Sequence, residues 1–281
     1  MRISIVTDST CDLSEPLIQK YRITVLPLYV TLGDQSYQDG INITSSDIFR
    51  YVEQNGNLPK TAAISVAAYA DCFRALAKDA DAVLCITLGS GFSSCCQNAR
   101  IAAADFENVY VVDSCNLSTG HGHVVLQACE HQNDFSDAAS LADFLSTQIV
   151  PKVDASFIID RLDYLHKGGR CSAVAALGAN MLKLKPCIEV RNGKMAVGKK
   201  YRGQFTHCVS QYIKDRLHDT ADIDPHRIFI THAQASDDAL SAAKDTVAQC
   251  ANFSEVFETQ AGSTIASHCG PNTLGILYLH K

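Results

Sequence analysis

Short apolar runs rich in β-branched residues alternate with stretches of helical texture through the first half of the chain. Residues 3–7 and 24–32 read as strands, the second followed by a turn at Gly33-Asp34-Gln35-Ser36. Residues 82–88 and 109–112 are nearly unbroken apolar runs, the pattern of strands buried on both faces of a parallel sheet. Helices fall between them. One is capped by Ser14 with Pro16 in its first turn, and one opens at Thr44 or Ser45, has Asp47 near its start and runs through Val52. Others cover 66–77 and about 95–106. Strand and helix in turn predict a parallel or mostly parallel α/β sheet.

The texture changes near Pro151. Residues 155–160 read as a strand and 163–167 as a helix stopped by Gly168-Gly169-Arg170. Residues 186–191 and 194–200 flank Asn192-Gly193, the preferred two-residue hairpin turn. Helices near 206–218, 236–250 and 262–268 then alternate with strands at 227–231, 254–258 and 274–279. The expected fold is α/β with two domains. An N-terminal domain over 1–152 holds a mostly parallel sheet with flanking helices, and a mixed α+β domain covers 153–281.

The stretch Asp113-Ser114-Cys115-Asn116-Leu117-Ser118-Thr119-Gly120-His121-Gly122-His123 follows an apolar strand and precedes a helix expected from Val124. Ligands of open α/β sheets bind at the carboxyl ends of strands, against such loops. Its glycine spacing is not a dinucleotide fingerprint, and no Walker phosphate loop occurs. Thr61, Ser93 and Ser118 each follow a strand-like or extended segment, so their loops are expected to converge on one edge of the sheet.

Composition narrows the function. The 281 residues are 47% hydrophobic and 19% charged, with a net charge of −6. That balance and the lack of a Lys/Arg-rich run argue against nucleic-acid binding. No apolar run approaches the roughly 18 residues of a membrane span, which leaves room only for transient membrane contact. The N-terminus lacks a signal-peptide core, and twelve cysteines without C-x-x-C read as reduced, buried thiols of a cytoplasmic protein.

Candidate chemistry is sparse. Gly91-Phe92-Ser93 is not a nucleophile elbow, and a Ser93–His268–Asp113 triad has no supporting spacing. His121 and His123 lack further ligands at a familiar spacing, so no metal is expected and the pair reads as polar surface. Arg170 on its Gly-Gly turn and Arg202 before Gly203 read as exposed cations suited to a phosphoryl group or an acidic partner.

Taken in order, Thr7-Asp8-Ser9-Thr10, Asp39-Gly40, Pro59-x-Thr61-x-x-x-Ser65, Ser90-Gly91-x-Ser93 and Asp113-Ser114-x-x-x-Ser118-x-Gly120-x-Gly122 form the first part of a series. Leu165-x-Lys167-Gly168-Gly169-Arg170, Lys185-Pro186, Arg202-Gly203 and His268-x-Gly270-Pro271 complete it. The series covers essentially the whole chain and resembles the DegV family of fatty-acid-binding proteins. The better understood members are lipid-carrying subunits of a bacterial fatty acid kinase.

The resemblance implies a two-domain protein that buries one long-chain fatty acid as ligand, with no other cofactor and no catalytic residue of its own. It implies that Thr61 and Ser93 hold the carboxylate, that His268 supports it and that Ser118 lines the same site. It assigns Arg170 and Arg202 to docking of an ATP-dependent kinase subunit or to phosphoryl transfer. Ala62-Ala63-Ile64 and Ser93-Ser94-Cys95-Cys96-Gln97-Asn98 depart from the family's usual Ser-Gln-Pro and Ser-Gly-Thr-Tyr-Gln-Ser, so acyl preference does not carry over. A stand-alone lipid carrier or lipid-responsive regulator is the alternative.

Overall fold

The computed structural model describes residues 1–171 and 184–281. Strands β1 (Ile3–Asp8), β2 (Thr24–Leu26), β6 (Ala82–Thr87) and β7 (Val109–Asp113) form a four-stranded sheet in the order β2-β1-β6-β7, every pair parallel. Every residue of β6 is buried, as its unbroken apolar run requires. Helices α1 (Glu15–Tyr21), α2 (Ser45–Asn55), α3 (Val66–Leu76) and α4 (Cys95–Ala103) are interleaved with these strands. A full capping box starts α2: Thr44 accepts from the Asp47 N–H, and the Asp47 carboxylate accepts from the Thr44 N–H.

The strand expected over 24–32 is two strands in two sheets. Pro27 has no N–H for a ladder, and the chain turns there. β3 (Tyr29–Leu32) then joins β4 (Gln35–Gln38) and β5 (Lys60–Ala62) in a small antiparallel sheet of order β4-β3-β5. This places Thr61 in a strand opposite Val30.

A six-stranded mixed sheet follows, in the order β10-β9-β8-β13-β11-β12. It comprises β8 (Val153–Ile158), β9 (Leu184–Arg191), β10 (Lys194–Arg202), β11 (Ile223–Ala233), β12 (Glu255–Gln260) and β13 (Thr273–His280). β11 and β12 are parallel and the other pairs antiparallel. Asn192 and Gly193 have φ of 51° and 72°, the left-handed pair that a tight hairpin turn needs. Helices α8 (Phe205–Arg216) and α9 (Asp237–Cys250) bury Cys208, Val209, Tyr212, Ile213, Ala243 and Val247 in a core with Ile158, Ile230 and Ile276 of the sheet.

Helix α5 lies between the parallel sheet and the six-stranded one. It spans Ser118–His131, so the second half of the glycine-rich stretch, expected as a loop, forms its first turns, and α6 (Ala138–Phe144) follows it. The glycines serve close packing. A side chain on Gly122 would meet the Cys11 carbonyl at 2.7 Å, and one on Gly120 would meet Asn116 Oδ1 at 2.3 Å. His121 and His123, expected as polar surface, are fully buried. His121 Nε2 lies 2.9 Å from Thr7 Oγ1, and His123 Nε2 lies 3.0 Å from the Leu277 carbonyl. At the far end of α5, buried Arg227 joins Glu130 to Glu255 of β12, with its Nε 2.7 Å from Glu255.

Nine of the twelve cysteines are buried, and Cys72, Cys115 and Cys250 are part-exposed. Burial pushes the Cys95 thiol up to about 11 and the Cys269 thiol up to about 12, which keeps both protonated at neutral pH.

Candidate functional site

A cavity opens where the three sheets meet. Its wall includes Thr61 of β5, Ser93 of the loop after β6, Arg170 after α7 (Asp163–Gly168), Met195 of β10, and Thr264 and His268 of helix α10 (Ser263–Cys269). Leu28, Ala62, Ala63, Leu88, Phe92 and Ile265 supply apolar surface. Polar groups thus share one space with a greasy wall, and among the described residues Arg170 is the one charged residue lining it.

His268 Nε2 lies 2.8 Å from Thr61 Oγ1. Burial, and then the Arg170 guanidinium, lower the His268 pKa to about 4, so the ring is neutral at pH 7. Gly168 makes this position available, because any side chain there would meet His268 Nδ1 at 2.6 Å. Gly169, at φ 68°, ends α7 and turns the chain out to exposed Arg170, whose Nη1 donates to the Gly168 carbonyl at 2.8 Å.

Ser93 is positioned by a tight junction. A side chain on Gly91 would meet the Gly193 carbonyl at 2.1 Å, so the β9–β10 hairpin tip rests directly on the Ser93 loop. Ser93 Oγ accepts from the Cys95 N–H at 3.3 Å and lies 3.3 Å from Cys95 Sγ. Below it, buried Asp8 accepts from the Leu88 N–H at 2.7 Å and fixes the end of β6.

Helix α10 is held by carboxylates from the start of the chain. Asp12 accepts from Gly262 N–H at 2.9 Å, and Asp39 accepts from the N–H groups of Ser263 at 2.7 Å and Thr264 at 3.2 Å. These are the donors that the first turn of a helix leaves without partners. Nothing in the spacing of Asp12, Asp39 and Gly262 flags this; only the fold brings them together.

Thr61, Ser93, His268 and Arg170 therefore meet at one cavity, whereas Ser118 and Arg202 do not line it. Ser118 donates to Asp12 at 2.5 Å and lines a second cavity. Leu117, Ile265 and Cys269 are common to both walls, so the two spaces, the outer one at Thr61 and the inner one at Ser118, adjoin across these three side chains. Arg202, at the end of β10, is exposed. The Ser93–His268–Asp113 arrangement is not assembled: His268 reaches Thr61, and Asp113 Oδ1 accepts from the N–H groups of Ser90 and Cys115.

Comparison with known proteins places this architecture. A family model described as "Uncharacterised protein, DegV family" matches residues 2–281. The chain belongs to the DegV family. A DegV domain-containing protein of Clostridium acetobutylicum is 30% identical over 282 residues, covering 100% of this chain and 99% of that one. A DegV family protein from Thermus thermophilus, described for its fatty acid binding, superposes with a TM-score of 0.92 at 28% identity, with full coverage of both chains. A stearic acid-binding protein from Eubacterium ventriosum superposes with a TM-score of 0.86 at 26% identity over 99% of this DegV chain and 98% of its own. Among the described residues, no helix is long and apolar enough to cross a membrane, and no group of three His, Cys, Asp or Glu is placed to hold a metal ion.

Proposed function

We propose that this chain binds one long-chain fatty acid, carboxylate at Thr61, Ser93 and His268, and presents it in the cytoplasm to a separate kinase subunit. The observation that carries the reading is the paired cavity. Among the described residues, three hydroxyls, a neutral imidazole and one guanidinium line the outer space, and an apolar-walled space adjoins it across Leu117, Ile265 and Cys269. A fatty acid has that polarity, one anion followed by a long apolar tail. Each buried methylene contributes about 0.8 kcal/mol, so a sixteen-carbon tail gains on the order of 10 kcal/mol before ordering costs.

The head group suits presentation. Hydroxyl donors hold the carboxylate without covalent commitment and leave an oxygen lone pair free. That oxygen would attack the γ-phosphorus of ATP held by the partner; the bond from γ-phosphorus to the bridging oxygen would break, and ADP would leave with its electron pair. Arg170, at the cavity and in water at once, would stabilise the charge of the phosphoryl group in transit. Arg202, exposed and away from the cavity, would serve docking.

Native mass spectrometry of protein purified from cells tests the first part. A bound mass equal to a fatty acid is expected, and a protein recovered empty even after incubation with hexadecanoate would overturn the reading. Addition of the partner kinase and ATP should then yield acyl-phosphate. Retained lipid with no ATP turnover would favour a stand-alone carrier.

A further inference from the structure

Two buried polar atoms of α10 have no partner among the described residues, Thr264 Oγ1 and His268 Nδ1. The residues are four apart, so they share one face of the helix, a turn from each other. Both line the outer cavity. Other hydroxyls of α10 are satisfied: Ser267 Oγ donates to the Ser263 carbonyl at 2.7 Å, and Ser263 Oγ donates to the Ile43 carbonyl at 3.0 Å. Thr264 finds neither kind of acceptor among the described residues, and it is 4% exposed. A buried hydroxyl left unpaired costs the full desolvation of the group. Valine has nearly the same outline and would give an acyl chain a better wall.

We propose that Thr264 selects acids carrying a second, uncharged oxygen close to the carboxylate, namely 2- or 3-hydroxyacyl chains. This rests on the fatty-acid reading above and narrows its substrate class. The oxygen must lie near the head group, because Thr264 lines the outer cavity with Thr61, Ser93 and Arg170 and is absent from the wall of the inner one. It must be uncharged, because among the described residues Arg170 is the one charged side chain lining this space, and a second anion there would be left without a counter-charge of its own. A hydroxyl both donates and accepts, so it can pair with Thr264 Oγ1 whichever way that group turns.

The test is calorimetric titration of delipidated protein with hexadecanoate, 2-hydroxyhexadecanoate and 3-hydroxyhexadecanoate. Wild type, Thr264→Val and Thr264→Ser are compared. In Thr264→Val, at least one hydroxylated acid should lose about tenfold in affinity relative to hexadecanoate, while hexadecanoate itself is unchanged or tighter. Thr264→Ser, which keeps the hydroxyl, should keep the preference. A hydroxylated-to-plain ratio unchanged by valine would overturn the proposal. So would an equal loss for all three acids, which would move Thr264 into the carboxylate set. If wild type binds none of the three, the fatty-acid reading fails with it.

Discussion

Thr61 Oγ1 and His268 Nε2 stand 2.8 Å apart although 207 residues separate them in the chain. The pair ties strand β5 to helix α10 across the mouth of the outer cavity. A carboxylate arriving there would gain a hydrogen bond from Thr61 to a charged acceptor, worth roughly 1.5–3 kcal/mol. Thr61→Val is therefore expected to weaken hexadecanoate binding by about ten- to a hundredfold. Ser93→Ala should lose a comparable factor, and the double variant more than either. Displacement of a fluorescent fatty acid measures all three, and a double variant that titrates like wild type would place the carboxylate elsewhere.

The two arginines are expected to separate. Arg170 lines the cavity and Arg202 does not. Arg170→Ala should reduce both retained lipid and acyl-phosphate formation, whereas Arg202→Ala should retain lipid and slow only the kinase-dependent step. Raised salt should weaken docking of wild type more than of Arg202→Ala, because exposed charges are screened. Lipid content by mass spectrometry, paired with ATP turnover, reads the two effects apart.

His268 gives the fold an acid-sensitive point. Its pKa falls from the ordinary 6.5 to about 4 on burial, so between those values the unfolded chain binds a proton that the folded one refuses. The stability is fully present above pH 6.5 and is lost as pH falls toward 4, by up to about 3 kcal/mol. Melting temperature should therefore drop less in His268→Gln than in wild type between pH 7 and pH 4.5. Parallel curves would show that the ring takes up its proton without cost.

Asp12 acts in the opposite sense. Burial, opposed by the Ser118 and Gly262 hydrogen bonds, pushes its carboxyl up to about 8. Between the ordinary 3.8 and about 8 the folded state holds the extra proton, so stability falls as pH rises through that window. Asp12→Asn keeps an oxygen for the Gly262 N–H and an amide that can donate to Ser118. It should flatten the decline in melting temperature between pH 5 and pH 9, and a slope unchanged by the substitution would assign the proton to another group.

Gly91→Ala should be disruptive, since its methyl would meet the Gly193 carbonyl at 2.1 Å and backbone cannot rotate away. Overpacking of this kind costs roughly 1–3 kcal/mol. Thermal melting should show a loss of several degrees, with weaker fatty acid binding, because the displaced loop carries Ser93. Gly40→Ala, where nothing lies within 4 Å, tests the φ of 75° alone.

The parallel sheet was legible because its strands announce themselves: β6 is buried along its whole length, and a run such as Ala82-Val83-Leu84-Cys85-Ile86-Thr87 has few other fates. The hairpin at Asn192-Gly193 was legible because turn chemistry is local. Pro27 broke a strand that the apolar pattern alone ran through. The start of α5 was hidden because glycine weakens a helix in isolation, and here Gly120 and Gly122 are repaid by contacts with Asn116 and Cys11 that no local pattern reveals. In the candidate site, Thr61, Ser93 and His268 were reachable through the family resemblance. The roles of Asp39 and Thr264 were not, since a helix-start acceptor and an orphaned hydroxyl exist only once distant segments meet.

The order of assembly follows from the placement of β13. This late strand, Thr273–His280, lies between β8 and β11 inside the six-stranded sheet, and α10 precedes it by only a few residues. During synthesis, Thr61 and Ser93 leave the ribosome long before the helix that faces them, and the sheet cannot zip up until residues 273–280 arrive. Contacts of such long sequence separation form slowly. The nascent chain thus has no closed compartment in which to trap a lipid, and loading becomes an event in the life of the finished molecule.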